Sequence, residues 1–180
     1  MRILHYSDKD DPAFDEKYHL CDVLVTTGDL TISDFGRLRD LSNKHSAFGV
    51  YGNHDSGQYL EDLGIINLHD AVYEYAGLKW GGWQGCLRYK NGGGPQFSEA
   101  DAAAWSSKFP YVDVLLLHAG PKDILDDPSD DVHIGSESVR RYVLEKQPRY
   151  IFCGHQYSNN ELQLGNTLAY RTYGARVIEI

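Results

Sequence analysis

The chain is expected to be an α/β protein with two sheets and helices packed outside them. Short apolar and β-branched runs recur along its whole length, helix-like stretches alternate with them in the first half, and the end is nearly all strand. A length of 180 residues with 42% apolar residues suits one domain over 1–180 with a proper core.

The strand candidates run in order as RILHYS (2–7), DVLVTT (22–27), AFGVY (47–51), AVYEYA (71–76) and LKWGGW (78–83). They continue as VDVLLLH (112–118), RYIFCG (149–154), ELQLG (161–165), TLAYRTY (167–173) and ARVIEI (175–180). The solid apolar VLLL predicts a central strand covered on both faces, whereas the alternating VYEYAG and LAYRTY predict antiparallel strands with one wetter face. SDFGRLRDLSNKH (33–45) puts Phe35, Leu38 and Leu41 on one helical face behind an N-cap-like Ser33. SGQYLEDLG (56–64) is also helix-like. SEADAAAWSSKF (98–109) opens with Ser98 and Asp101 in capping-box spacing. SESVRRYVLEKQP (136–148) starts at Ser136, places Val139, Tyr142 and Val143 together and stops before Pro148. NGGGP (91–95) reads as a surface loop, not a boundary.

Composition narrows the function classes. Acidic residues outnumber basic ones 26 to 17, a balance that repels polyphosphate chains and argues against stable nucleic-acid binding. Cys21, Cys86 and Cys153 are odd in number and in no metal or disulfide spacing, so they read as buried thiols in a reducing compartment. No apolar stretch approaches a membrane span and the N-terminus lacks a signal-type core, so a cytoplasmic, membrane-free protein is expected.

Five strand candidates end in residues that bind metals or move protons: Asp8, Asp29, Asn53 with His54 and Asp55, His118, and His155. In α/β sheets the crevice outside the strand ends is where ligands bind. Buried without a ligand, such a cluster is costly. Gly28, Gly52 and Gly154 precede three of these residues, which predicts sharp turns that bring the next side chain inward. Carboxylate and amide oxygens mixed with two imidazoles suit Mn, Fe or Zn better than Ca or Mg.

SD at 7–8, GD at 28–29, GNHD at 52–55, HAGP at 118–121 and GH at 154–155 resemble, in order and spacing, the motifs of the calcineurin-like metallophosphoesterases. SDKDDP, CLRYKNGGGPQFSEAD and DDPSDDVHIGSESV are similar to segments of small bacterial members. The resemblance implies a four-layer α-β-β-α sandwich of two mixed sheets. It implies two divalent metals bridged by Asp29, the second completed by Asn53, His118 and His155 and the first by Asp8 and two further imidazoles. Those two are missing. Where the family has DxH this chain has Asp8, Lys9, Asp10, and where it has GHxH this chain has Gly154, His155, Gln156, Tyr157. Asp10 offers a carboxylate in place of one imidazole, while Tyr157 would have to lose a proton of pKa about 10. The first site is therefore expected to be weaker, with one or two ions bound. His5, His19 and His133 are unassigned and could supply a replacement imidazole, but strand alternation turns His5 to the face opposite Asp8, which makes it a poor substitute.

The resemblance implies hydrolysis of a small phosphodiester or phosphomonoester by metal-activated hydroxide, with His54 as general acid oriented by Asp55 and with Asn53 touching both metal and phosphate. Arg88 is expected to contact the substrate beyond its phosphate, with Lys90 and Tyr89 in the same loop. The altered motifs motivate a different class of reading, a degenerate scaffold acting as a phosphate- or nucleotide-binding or regulatory protein. The acidic stretch with Asp126, Asp127, Asp130, Asp131 and His133 reads as a solvated loop. Tyr75, Trp80, Trp83, Tyr170 and Tyr173 read as sheet packing.

Overall fold

The computed structural model describes residues 1–180. In chain order the strands are β1 (Arg2–Ser7), β2 (Val23–Thr26), β3 (Ser46–Gly49), β4 (Ile66–Asn67), β5 (Val72–Tyr75), β6 (Leu78–Trp83) and β7 (Cys86–Leu87). They continue as β8 (Gln96–Phe97), β9 (Val114–Leu117), β10 (Tyr150–Cys153), β11 (Asn160–Leu164), β12 (Thr167–Arg171) and β13 (Gly174–Glu179). The helices are α1 (Phe14–Tyr18), α2 (Phe35–Ser42), α3 (Tyr59–Asp62), α4 (Glu99–Ser106) and α5 (Glu137–Lys146).

Two mixed sheets carry the fold. The first has the order β13-β1-β2-β3-β4, all parallel except the edge strand β13, with Ile3 opposite Val23 and Leu24 opposite Ala47. The second has the order β11-β12-β10-β9-β6-β5; its four inner strands are parallel, and β5 and β11 close the edges antiparallel. LAYRT is thus a mixed strand, parallel to β10 on one side and antiparallel to β11 on the other. VYEY is the outer edge.

Period-2 alternation assigns each strand's side chains to two different cores. Ile3, Val23, Val25 and Phe48 meet Trp80, Val114, Leu116 and Phe152 between the sheets. The alternate residues Leu4, Tyr6 and Leu24 face Phe14, Leu38, Leu41 and Leu60 of the first helical layer. On the other side Leu115, Leu117 and Ile151 face Trp105, Val139, Tyr142 and Val143 of α4 and α5. The result is the expected α-β-β-α sandwich. VLLL of β9 is buried at all four positions because it is sandwiched on both faces.

The helix boundaries follow their caps. The Ser98 hydroxyl accepts from Asp101 N at 3.1 Å, and the Ser136 hydroxyl accepts from Val139 N at 3.2 Å. Ser33 is not an N-cap: it lies inside a short 3₁₀ turn, Ile32–Asp34, that leads directly into α2. The three cysteines are buried free thiols. No helix is long and apolar enough to cross a membrane.

Trp80 is fully buried between the sheets and stacked on Phe48, with ring centroids 4.8 Å apart. Trp80→Ala should lower unfolding free energy by about 3–5 kcal/mol, read from urea denaturation followed by circular dichroism.

Candidate metal centre

The parallel strands of each sheet end on the same side, so the residues after β1, β2 and β3 and those after β9 and β10 converge at one seam. Asp8, Asp29 and His155 each leave their strand in the left-handed region, with φ of 65°, 54° and 68°. Asp and His tolerate this conformation better than most residues, yet each such turn costs about 1–3 kcal/mol and persists only where the surroundings enforce it. Of the three flanking glycines, only Gly28 has positive φ, +94°. Gly52 and Gly154 are needed for space instead: a Cβ on Gly52 would collide with the Asp29 carboxylate, and one on Gly154 with Asp8 Oδ2 and Ser7 Oγ.

The hydrogen bonds around the two histidines fix which ring atoms face inward. His118 is fully buried, and its Nδ1–H donates to Thr27 O at 2.7 Å, leaving the Nε2 lone pair exposed to the centre. His155 donates from Nε2 to Val132 O at 2.9 Å, leaving Nδ1 as its free lone pair. These two free nitrogens lie 3.1 Å apart. Asn53 donates from Nδ2 to Tyr89 Oη at 3.2 Å, which turns its Oδ1 toward His118 Nε2 at 2.8 Å. Asp29 Oδ2 stands 3.4 Å from the same nitrogen. Four acceptors therefore point at one place with no donor among them. Such an arrangement fits a cation, and outward N–H donation to a carbonyl is how ligating imidazoles are normally held.

Asp8 adds a further carboxylate. One ligand atom each from Asp8, Asp29 and His118 lies within 4.8 Å of the others. Asp8 Oδ2 accepts from Ser7 Oγ and from His155 N, the latter at 3.0 Å. Behind it, His5 Nε2 meets Thr27 Oγ1 at 3.0 Å, and Thr27 Oγ1 donates to Ser7 Oγ at 2.8 Å. His5 thus supports Asp8 from the inter-sheet core and does not enter the centre.

Several expected roles are corrected by this geometry. Asp10 turns outward, 3.7 Å from Arg37, with its side chain 58% exposed, so it is not a ligand. Tyr157 is 74% exposed, its ring edge-on to His133 and Tyr173 at the rim of the cavity. Asp55 is not the partner of the His54 ring: its Oδ2 accepts from Asp29 N, Gly52 N and Tyr59 Oη at 2.8, 2.7 and 2.7 Å. It ties the β2 and β3 turns together. His54 itself is exposed at the cavity, anchored through its backbone N–H to Asp29 Oδ1 at 2.8 Å. Arg88 lies outside this cavity, donating to Gln96 O at 3.2 Å and lining a separate polar depression of about 310 Å³ with Lys90 and Gly92–Gly94.

His133 was expected in a solvated loop. Instead it lines the cavity of about 390 Å³ with Asp8, Asp29, His54 and His155, its ring centroid 4.9 Å from that of His155. No spacing rule connects residue 133 to the strand-end motifs, because the loop carrying it follows no apolar period.

Charge and burial oppose one another at the centre. Burial opposes a charge on His118, yet the carboxylates of Asp29 and Asp8 outweigh it and raise its pKa above the ordinary histidine value. Burial and the neighbouring His118 push His155 down to about 3. Burial raises Asp8 to about 6. Asp55 is also raised, by burial, against the donors around it.

A family model described as calcineurin-like phosphoesterase matches residues 1–159. The chain belongs to this family. The uncharacterized protein MJ1162 of Methanocaldococcus jannaschii is 25% identical over 189 residues, covering 93% of this chain and 86% of that protein. The structure of TT1561 of Thermus thermophilus superposes with a TM-score of 0.67 at 13% identity, covering 94% of this chain and 88% of that one. Phosphopantetheinyl hydrolase (PptH) of Mycobacterium tuberculosis gives 0.61 at 13% identity, covering 94% and 87%. These likenesses are of fold. The calcineurin-like family uses divalent metals, and the inward lone pairs described above fit them.

Two outcomes test the geometry. Gly154→Ala should weaken Mn²⁺ binding roughly tenfold or more by displacing Asp8, measured by isothermal titration calorimetry. Protons on Asp8 and His118 compete with the cation and are lost as pH rises through and above about 6, so affinity should rise over that range. Binding at the lower end should release protons, seen as a heat that depends on buffer ionisation enthalpy.

Proposed function

We propose that the chain is a metal-dependent phosphoesterase that hydrolyses a small phosphodiester or phosphomonoester. The observation that carries this reading is the set of inward-facing acceptors on Asp29, Asn53, His118 and His155, together with the exposed imidazole of His54 on the cavity that Asp29 and His155 line. Their mixed nitrogen and oxygen chemistry favours Mn, Fe or Zn.

A divalent cation held there would neutralise phosphoryl oxygens and acidify a water for attack. The protein's own groups do the rest. Asn53 is held between Tyr89 and His118, so its amide fixes the approach of a phosphate at the edge of the site. His54 projects into the cavity from a turn pinned to Asp29, and its ring is free to give a proton to the departing alkoxide. Asp55 assists indirectly, holding that turn rigid from beneath. Arg88 and Lys90 are proposed to meet the part of the substrate beyond the phosphate. The three buried free thiols accord with a reducing, cytoplasmic location.

A second reading, a binding or regulatory protein with little turnover, is favoured by Asp10 and Tyr157 standing outside the centre. An assay with an aryl phosphodiester and added Mn²⁺ separates the two. His54→Ala should cut turnover roughly 10²- to 10⁴-fold with metal content unchanged. Metal-loaded wild type that turns over neither diesters nor monoesters would establish the second reading.

A further inference from the structure

His133 is the third imidazole on the cavity, and its hydrogen bonds follow the same rule as those of His118 and His155. Its Nδ1 is bound to Asp130 Oδ2, which leaves Nε2 as its free lone pair. The side chain is only 12% exposed although it belongs to an otherwise acidic loop. That loop is built to stay against the centre. Val132 O accepts from His155 Nε2 at 2.9 Å, and His133 O accepts from Gln156 Nε2 at 3.1 Å. Within it, Val132 N donates to Asp130 Oδ1 at 2.8 Å and Gly135 N donates to Asp126 Oδ2 at 3.0 Å.

Asp8, on the same cavity, has its Oδ2 engaged by Ser7 and His155 N and its Oδ1 without a protein partner. Asp29 likewise presents carboxylate oxygen there. Two carboxylates and an imidazole on the wall of one cavity are the donor types a divalent cation takes, and a carboxylate behind the imidazole is the usual device for raising the basicity of a ligating histidine. We propose that His133 Nε2 is a metal ligand, completing with Asp8 and Asp29 a second cation position beside the one formed by Asn53, His118 and His155. Asp130 is its positioning residue. The assignment rests on the metal-centre reading above and adds a ligand from a segment outside the strand ends.

The test uses Mn²⁺ alone on the full chain, with metal content after desalting, calorimetric affinity and the nitrogen hyperfine coupling of bound Mn²⁺ as readouts. Wild type should bind two ions. His133→Ala and the bulkier His133→Gln should remove one or weaken it at least tenfold while leaving the other unchanged, and Asp130→Asn should weaken the same ion roughly 10- to 100-fold. Loss of one histidine coupling in His133→Ala would identify the ligand directly. Unchanged stoichiometry and affinities in both His133 variants, with thermal unfolding unaltered, would overturn the proposal, as would a wild-type chain that binds a single ion lost only on His118→Ala. Failure of the parent reading has a separate signature: His118→Ala would then leave Mn²⁺ binding intact.

Discussion

The centre is organised by two imidazole nitrogens whose lone pairs face one another at 3.1 Å, each ring locked by an outward bond to a backbone carbonyl. Neither ring can turn to offer a proton without breaking that bond. Burial and the facing His118 drive His155 down to about 3, while the carboxylates of Asp29 and Asp8 raise His118 against its burial. Asn53 Oδ1 and Asp29 Oδ2 face the same nitrogen, His118 Nε2, at 2.8 and 3.4 Å. A divalent ion satisfies all four acceptors at once, whereas a proton can satisfy two at most. The left-handed turns at Asp8, Asp29 and His155 are the structural cost of this convergence.

The sheet topology makes the convergence possible. Parallel neighbours put three strand ends of one sheet and two of the other on a single side, and stacking the sheets face to face brings those ends across the seam. The antiparallel edges β5, β11 and β13 contribute no ligand, because they run the other way. The seam is also where backbone comes closest: Gly52 and Gly154 sit so near the Asp29 and Asp8 carboxylates that any side chain there would displace one of them. What reads as turn-forming glycine in the sequence is, at these two positions, room for a neighbour.

The ten longer strand runs and the helices α2 and α5 were legible because each carries a run or a stripe that periodicity detects, while α4 was legible from its Ser98 cap. The two-residue strands β4, β7 and β8 and the five-residue α1 are too short to carry a period; they exist through their neighbours. The ligand-bearing strand ends were legible for the same reason as the strands. Asp10 was misplaced because adjacency to Asp8 says nothing of direction once Asp8 enters the left-handed region and turns the chain outward toward Arg37. Asp55 was assigned to its sequence neighbour, yet its bonds reach to Asp29, Gly52 and Tyr59. His133 was hidden in a run of aspartates that normally faces water; the bonds from His155 to Val132 O and from Gln156 to His133 O draw its loop inward.

The net charge of −9 and the anionic character of a phosphoester set an order of events. The cavity that would receive the phosphate is lined by Asp8, Asp29 and Asp55 and has no lysine or arginine on its wall. A phosphate entering it without metal meets like charge at short range in a partly desolvated site, where such repulsion is least screened. A divalent cation held there would offset two of those carboxylate charges while leaving the rest of the surface acidic. Metal and phosphoester must then bind with positive coupling, each raising the affinity of the other by the same factor. The exposed cations of the Arg88 loop lie outside this cavity and offset none of the charge on its wall.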